Sequence, residues 1–153
     1  MEQEWQTHND PQRLIVNGVV TQRLDPACRC RVLVVDDDDV VREQLIGLLK
    51  RAGYAVRGAS SGSDAVRMLG TGHCQILLTD WQMPDMTGLD LCRRVRLEHR
   101  NGMMYVLMLT VRSRAQDMMV GLAAGADDYL IKGAPNKEIL ARLEVARRCT
   151  RGE

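Results

Sequence analysis

The chain holds 153 residues with 21 basic and 20 acidic side chains, a formal charge of +1. That length suits one domain with some chain to spare, and 45% hydrophobic against 27% charged residues excludes a wholly disordered chain. The near balance of charge argues against a strongly basic nucleic-acid binder, and the complete absence of Phe calls for an aliphatic core with the 9 Met as flexible filler.

The first ten residues are polar and acidic and lack the apolar run of a secretory signal. No stretch approaches the roughly 18 apolar residues of a membrane span. Five Cys is an odd number and makes no complete disulfide framework, so the expectation is a reducing, cytoplasmic compartment with thiols. Residues 1–30 read as an N-terminal extension, partly disordered or folded as a hairpin. Leu14-Ile15-Val16 and Val19-Val20 flank Asn17-Gly18, which suits a type I′ turn. Cys28 and Cys30 form a lone C-x-C with no second ligand pair nearby, so incidental thiols are favoured over a zinc site. Residues 31–149 read as the globular domain and 150–153 as a tail.

From Arg31 onward, short apolar runs alternate with helical patterns. Val32-Leu33-Val34-Val35 is the first run, and Tyr54-Ala55-Val56 is a weak second. Ile76-Leu77-Leu78, Tyr105 to Leu109, and Tyr129-Leu130-Ile131 follow. Runs without polar alternation suit strands covered on both faces. Between them, Val41, Leu45, Leu48 and Ala52 recur at helix spacing, with Asp38 or Asp39 as cap and Gly53 as stop. Ser61 or Ser63 can cap a helix carrying Ala65, Met68 and Leu69. A third helix is expected from about Thr87 to Glu98 and a fourth from about Ser113 to Ala123. The last starts near Pro135 and carries Ile139, Leu140, Leu143 and Ala146, with Glu138–Arg142 and Glu144–Arg148 as pairs one turn apart. Five β-α units in succession imply an α/β fold: a parallel sheet with helices on both faces.

In such sheets ligands bind beyond the carboxyl ends of the strands. The first strand ends in Asp36-Asp37, the third in Thr79-Asp80, the fourth in Thr110 and the fifth in Lys132. Three carboxylates brought together repel unless a cation sits among them. An oxygen-only set of this kind is a Mg²⁺ arrangement rather than a transition-metal one. Asp38 and Asp39 read as cap and surface, and Asp127 and Asp128 as loop residues. Trp81 reads as a half-exposed aromatic beside the site. His8, His73 and His99 show no metal spacing.

The ordered set Val32 to Asp39, Leu77 to Gly88, Val106 to Thr110 and Gly125 to Lys132 resembles a bacterial response-regulator receiver domain. The resemblance spans about Arg31 to Arg148. It implies a flavodoxin-like, doubly wound (βα)5 fold with a five-stranded parallel sheet in the order 2-1-3-4-5. By resemblance Asp80 is the phosphoacceptor, supplied by a histidine kinase or a histidine phosphotransfer protein. Asp37 is a direct Mg²⁺ ligand and Asp36 one acting largely through water, with Asp80 and the backbone carbonyl of Gln82 completing the protein's share. Lys132 neutralises phosphoryl charge. Thr110 is the switch hydroxyl and Tyr129 the aromatic switch. Together they bias a face built from the fourth helix, fifth strand and fifth helix. A phosphorylation-linked homodimer is a further partnership the resemblance allows.

One departure stands out. The family follows its lysine with Pro and an aromatic, joined through a cis bond; here Gly133 and Ala134 follow Lys132. A cis bond before Gly costs about 2.5–4 kcal/mol, so Lys132–Gly133 is expected trans, the following loop rerouted, and Lys132 less firmly aimed. That departure supports an alternative function, a receiver-like protein-binding module independent of phosphorylation. An enzyme reading, a Mg²⁺-dependent phosphatase of the haloacid dehalogenase kind, asks for a second Asp two residues after the nucleophile, where Gln82 stands. No segment remains for a DNA-reading helix-turn-helix. The expectation is therefore a signalling switch rather than an enzyme, without direct nucleic-acid or membrane contact. It acts through an output partner or as part of a longer regulator.

Overall fold

The computed structural model describes residues 13–16, 19–22, 30–71, 74–98, 104–111 and 115–150. Asn17-Gly18, Cys28, the three His, Ser113 and residues 151–153 lie outside them. Two short strands come first, β1 (Arg13–Val16) and β2 (Val19–Gln22), paired antiparallel with Val16 opposite Val19. They form a separate two-stranded sheet, and β2 approaches the last helix.

The main sheet contains β3 (Arg31–Val35), β4 (Ala55–Ala59), β5 (Ile76–Asp80), β6 (Tyr105–Thr110) and β7 (Asp128–Ile131). Its order is β4-β3-β5-β6-β7 and all four pairings are parallel. Numbered within this sheet the order is 2-1-3-4-5, the arrangement of the flavodoxin-like fold. The helices are α1 (Asp39–Arg51), α2 (Gly62–Thr71), α3 (Gly88–Glu98), α4 (Ala115–Ala123) and α5 (Asn136–Thr150).

Alternation along each strand divides the core in two. Val32, Val34, Ile76, Leu78, Leu107, Leu109 and Leu130 pack with Leu45, Leu48 and Leu49 of α1 and Ile139, Leu140 and Leu143 of α5. Leu33, Val35, Leu77, Val106, Met108 and Tyr129 pack on the other side with Ala65 and Leu69 of α2 and Leu91 and Val95 of α3. Both faces are covered, which is why the strands read as unbroken apolar runs. Met83, Met104 and Met108 fill the second core, where the sequence offers no Phe.

Local signals set the helix ends. The Asp38 carboxylate accepts from Val40 N (2.9 Å) and Val41 N (3.2 Å), capping α1. Gly53, at φ 101°, ends it. Ser61, not Ser63, caps α2 by accepting from Asp64 N at 3.1 Å. Thr87 and Asp90 exchange side-chain bonds with each other's N–H at the start of α3, a capping box with Asp in place of Glu. Tyr54 precedes β4 rather than starting it and is buried in the core. Within α5, Glu144 pairs with Arg147 and not with Arg148.

Candidate functional site

Strand register brings the polar strand ends together. Val35 lies opposite Thr79, so the next residues, Asp36 and Asp80, flank one another. Asp80 lies opposite Leu109, and Thr110 opposite Ile131, one residue before Lys132. Asp36, Asp80 and Lys132 share the strand parity of Leu109 and Leu130, which face α1 and α5. Thr110 and Tyr129 share the parity of Val106 and Met108, on the opposite face. The sheet edge thus carries an acidic pocket, with the two expected switch residues on its far side.

Asp36 is 1% and Asp80 8% exposed, whereas Asp37 is exposed. One carboxylate oxygen from each of the three lies within 4.8 Å of the others. Lys132 Nζ bridges two of them, at 3.0 Å from Asp36 Oδ2 and 3.1 Å from Asp80 Oδ2. Burial pushes the Asp80 carboxyl above its usual range, the Lys132 hydrogen bond opposes this, and the nearby Asp36 charge adds to it. For Lys132 burial works downward, but the hydrogen bonds and charges of Asp36 and Asp80 outweigh it and raise the ammonium pKa.

Three carboxylates against one ammonium leave the pocket short of positive charge. Its donors are hard oxygens at a partly open edge, and a small divalent cation such as Mg²⁺ fits that set. Asp36 is spoken for on every side: its N–H donates to Ala59 O (3.1 Å), and its Oδ1 accepts from Asp38 N (2.9 Å). The carboxylate of Asp37 has no hydrogen bond or ion pair within the described residues, so it is open to a metal ion or water.

The loop after Asp80 is anchored at both ends. Gly88 N donates to Trp81 O, and a Cβ at Gly88 would lie 2.2 Å from the Asp80 carbonyl oxygen. Only Gly permits that approach. The Asp85 carboxylate accepts from Gly62 N, Ser63 N and Ser63 Oγ at the start of α2. Those bonds, the hydroxyl first, hold its pKa down at about 2. Gln82, exposed, lies within this loop.

Thr110 ends β6, 1% exposed, and its carbonyl accepts from Lys132 N at 2.7 Å. Tyr129 is buried and meets Trp81 edge-on, with ring centroids 6.1 Å apart. Gly121 of α4 lies beside both rings, where an added Cβ would be in ordinary contact at 3.5–3.6 Å. Trp81 is 5% exposed, not the half-exposed aromatic expected: as the residue after Asp80 it falls on the α3/α4 face of the sheet, where Tyr129 and the second core cover it.

Two further expectations change. Asp127 and Asp128 are more than loop residues. Asp127 accepts from Val106 N (2.8 Å) and pairs with Arg96, while Asp128 opens β7 and pairs with Arg142. Lys132 is not loosely aimed, since two carboxylates hold it. No cis peptide bond occurs among the described residues, so Lys132–Gly133 is trans. Gly133 adopts φ +89°, and Ala134 N donates back to Ile131 O. Proline, fixed near φ −65°, cannot make that turn.

Arg42 escaped the sequence reading. Its Nη1 donates to Asp36 O at 2.8 Å from α1. Its spacing, one helical turn beyond the cap, is the only signal that could have marked it.

Comparison with known proteins places this fold and pocket in a class. A family model described as "Response regulator receiver domain" matches residues 32–144. The chain belongs to the response-regulator receiver family. Receiver domains are signalling parts of two-component systems and bind Mg²⁺ at an acidic pocket; membership implies a histidine kinase partner. Among its relatives, the transcriptional regulatory protein GltR of Pseudomonas aeruginosa is 40% identical over 117 residues, covering 76% of this chain and 48% of that protein. Response regulator MprA of Mycobacterium avium is 40% identical over 123 residues, 80% of this chain and 53% of that one. The chain therefore spans about half the length of the curated relatives it matches. Among solved structures, chemotaxis response regulator CheY4 of Vibrio cholerae superposes with TM-score 0.73 at 29% identity, over 77% of this chain and 98% of that one. A putative response regulator from Chloroflexus aurantiacus gives TM-score 0.73 at 35% identity, over 78% and 98%. Among the described residues no helix is long and apolar enough to cross a membrane.

Proposed function

We propose that residues 31–149 form a phosphorylatable switch whose phosphoacceptor is Asp80, with 1–30 an extension and 150–153 a tail. The donor is a phosphohistidine on a histidine kinase or a histidine phosphotransfer protein. A carboxylate oxygen of Asp80 attacks phosphorus, the P–N bond breaks, and the imidazole leaves with the electron pair. Asp37, Asp36, Asp80 and the Gln82 carbonyl would together hold Mg²⁺, with the exposed Asp37 carboxylate the ligand most open to it. When bound, Mg²⁺ supplies charge neutralisation for the phosphoryl oxygens. Lys132, already 3.1 Å from Asp80 Oδ2, adds a second positive charge on the incoming group. Asp36 holds Lys132 in place, and burial keeps competing water away from Asp80.

Thr110 then turns its hydroxyl to the new phosphate and Tyr129 follows, which changes the face formed by α4, β7 and α5. The reading places the domain in the cytoplasm, acting through a partner or an attached output segment and not as an enzyme. The carrying observation is the convergence of Lys132 on Asp36 and Asp80 beside Asp37. The phosphate-independent alternative drew on Gly133, yet the turn there leaves Lys132 in the pocket, which favours the switch. Acetyl phosphate with Mg²⁺ tests it. Intact-mass measurement is expected to show one added phosphoryl group on wild type and none on Asp80→Asn. Equal labelling of both, or of neither, overturns the proposal.

A further inference from the structure

We propose that Arg42 is a positioning residue for the metal site, acting through the peptide between Asp36 and Asp37; this rests on the Mg²⁺ reading above. Arg42 lies one turn into α1, its side chain 14% exposed. Its stem runs over β4, where a Cβ on Gly58 would lie 3.2 Å from Arg42 Cδ and 2.7 Å from Ile46 Cδ1. Gly58 thus leaves the channel that lets the guanidinium reach the end of β3. There Nη1 donates to the Asp36 carbonyl at 2.8 Å, while Nη2 pairs with Asp39, a carboxylate 81% exposed.

The peptide whose oxygen Arg42 grips is the one that launches Asp37. Asp36 N is bonded to Ala59 O on the strand side. With the carbonyl held on the helix side, the plane of the next peptide is set, and with it the direction in which Asp37 leaves the backbone. Asp37 itself has no hydrogen bond or ion pair among the described residues to orient it. Its aim therefore depends on its backbone, which is braced on both sides: the Asp36 carboxylate holds Asp38 N after it, and Arg42 holds the carbonyl before it.

Charge and positioning predict opposite signs. A guanidinium near a dication site repels the dication, so removing it should tighten Mg²⁺ binding if charge alone mattered. Removing a brace should weaken binding, and partners that orient metal ligands are typically worth about 10–100-fold in affinity. Titration of Mg²⁺ by calorimetry on the whole chain, with melting of the metal-free protein alongside, separates the two. Arg42→Met is expected to weaken Mg²⁺ binding about tenfold. Arg42→Lys keeps the charge and one donor but not the planar fork, so it is expected to fall between. Asp39→Ala, which removes only the outer partner, is expected to bind as wild type. Unchanged or tighter binding by Arg42→Met overturns the proposal. If Arg42→Met does not fold, Arg42→Lys carries the comparison, and wild-type affinity there overturns it equally. A wild type that binds no Mg²⁺ instead overturns the metal reading itself.

Discussion

Asp80 is the pocket residue whose ionisation bears most on stability. Its pKa is raised, so the folded form binds its proton more tightly than the unfolded form does. The stability this confers is present below the ordinary carboxylate range and is lost as pH rises through the folded value. Charged Asp80 therefore opposes folding at neutral pH. Asp80→Asn is expected to melt higher than wild type without metal, by about 3 °C for each kcal/mol relieved. The difference should grow between pH 4 and 7. Thermal melts across that range check it, and a constant difference would refute the linkage. Gly88→Ala tests the opposite kind of constraint. Its Cβ would meet the Asp80 carbonyl oxygen at 2.2 Å and Met108 Sδ at 2.9 Å. The first of these is a backbone atom that already accepts from Thr79 Oγ1 at 3.0 Å, so a loss of about 2–3 kcal/mol is expected in urea unfolding. Gly133→Ala has open space around it but a φ of +89°, and roughly 1–2 kcal/mol of backbone strain is expected.

At the scale of elements, charged side chains tie loops that apolar packing leaves unjoined. Arg96 of α3 donates to Gly125 O (2.8 Å) and Met104 O (2.6 Å) and pairs with Asp127, which also accepts from Val106 N. One guanidinium thus joins α3, the start of β6 and the loop before β7. Arg96→Met is expected to cost about 2 kcal/mol, the range of charge-assisted bonds, and to speed hydrogen exchange at Val106. Unchanged exchange there would count against the brace. Asp85 ties the loop after Asp80 to α2 in the same way. Its depressed pKa means that the tie is fully present above the ordinary Asp value and fades as pH falls towards 2.

At the scale of the whole molecule, the proposed metal site, built from the ends of β3 and β5, links binding to folding. Mg²⁺ at a hundred times its Kd should stabilise wild type by about 2.7 kcal/mol. Melting with Mg²⁺ and then with a chelator is expected to show a reversible rise, absent in Asp37→Ala. An equal rise in that variant would place the ion elsewhere.

The order of strands and helices, both core faces and the acidic residues of the pocket were legible in the chain. Apolar runs, the cap choices Asp38 or Asp39 and Ser61 or Ser63, and polar strand ends are all local, and a parallel α/β sheet has few other ways to bury them. The burial of Trp81, the brace from Arg42 and the roles of Asp127 and Asp128 depend on neighbours far along the chain. No local pattern encodes them. Lys132 shows the division best. The Gly after it announced a different loop, and the loop is different, with φ +89° at Gly133. Yet the lysine stays in the pocket, because two buried carboxylates on other strands attract it more strongly than the altered turn displaces it. Local patterning sets which residues reach the edge of the sheet. Which of them meet is set by strand register and the electrostatics of burial, which join residues far apart in the chain.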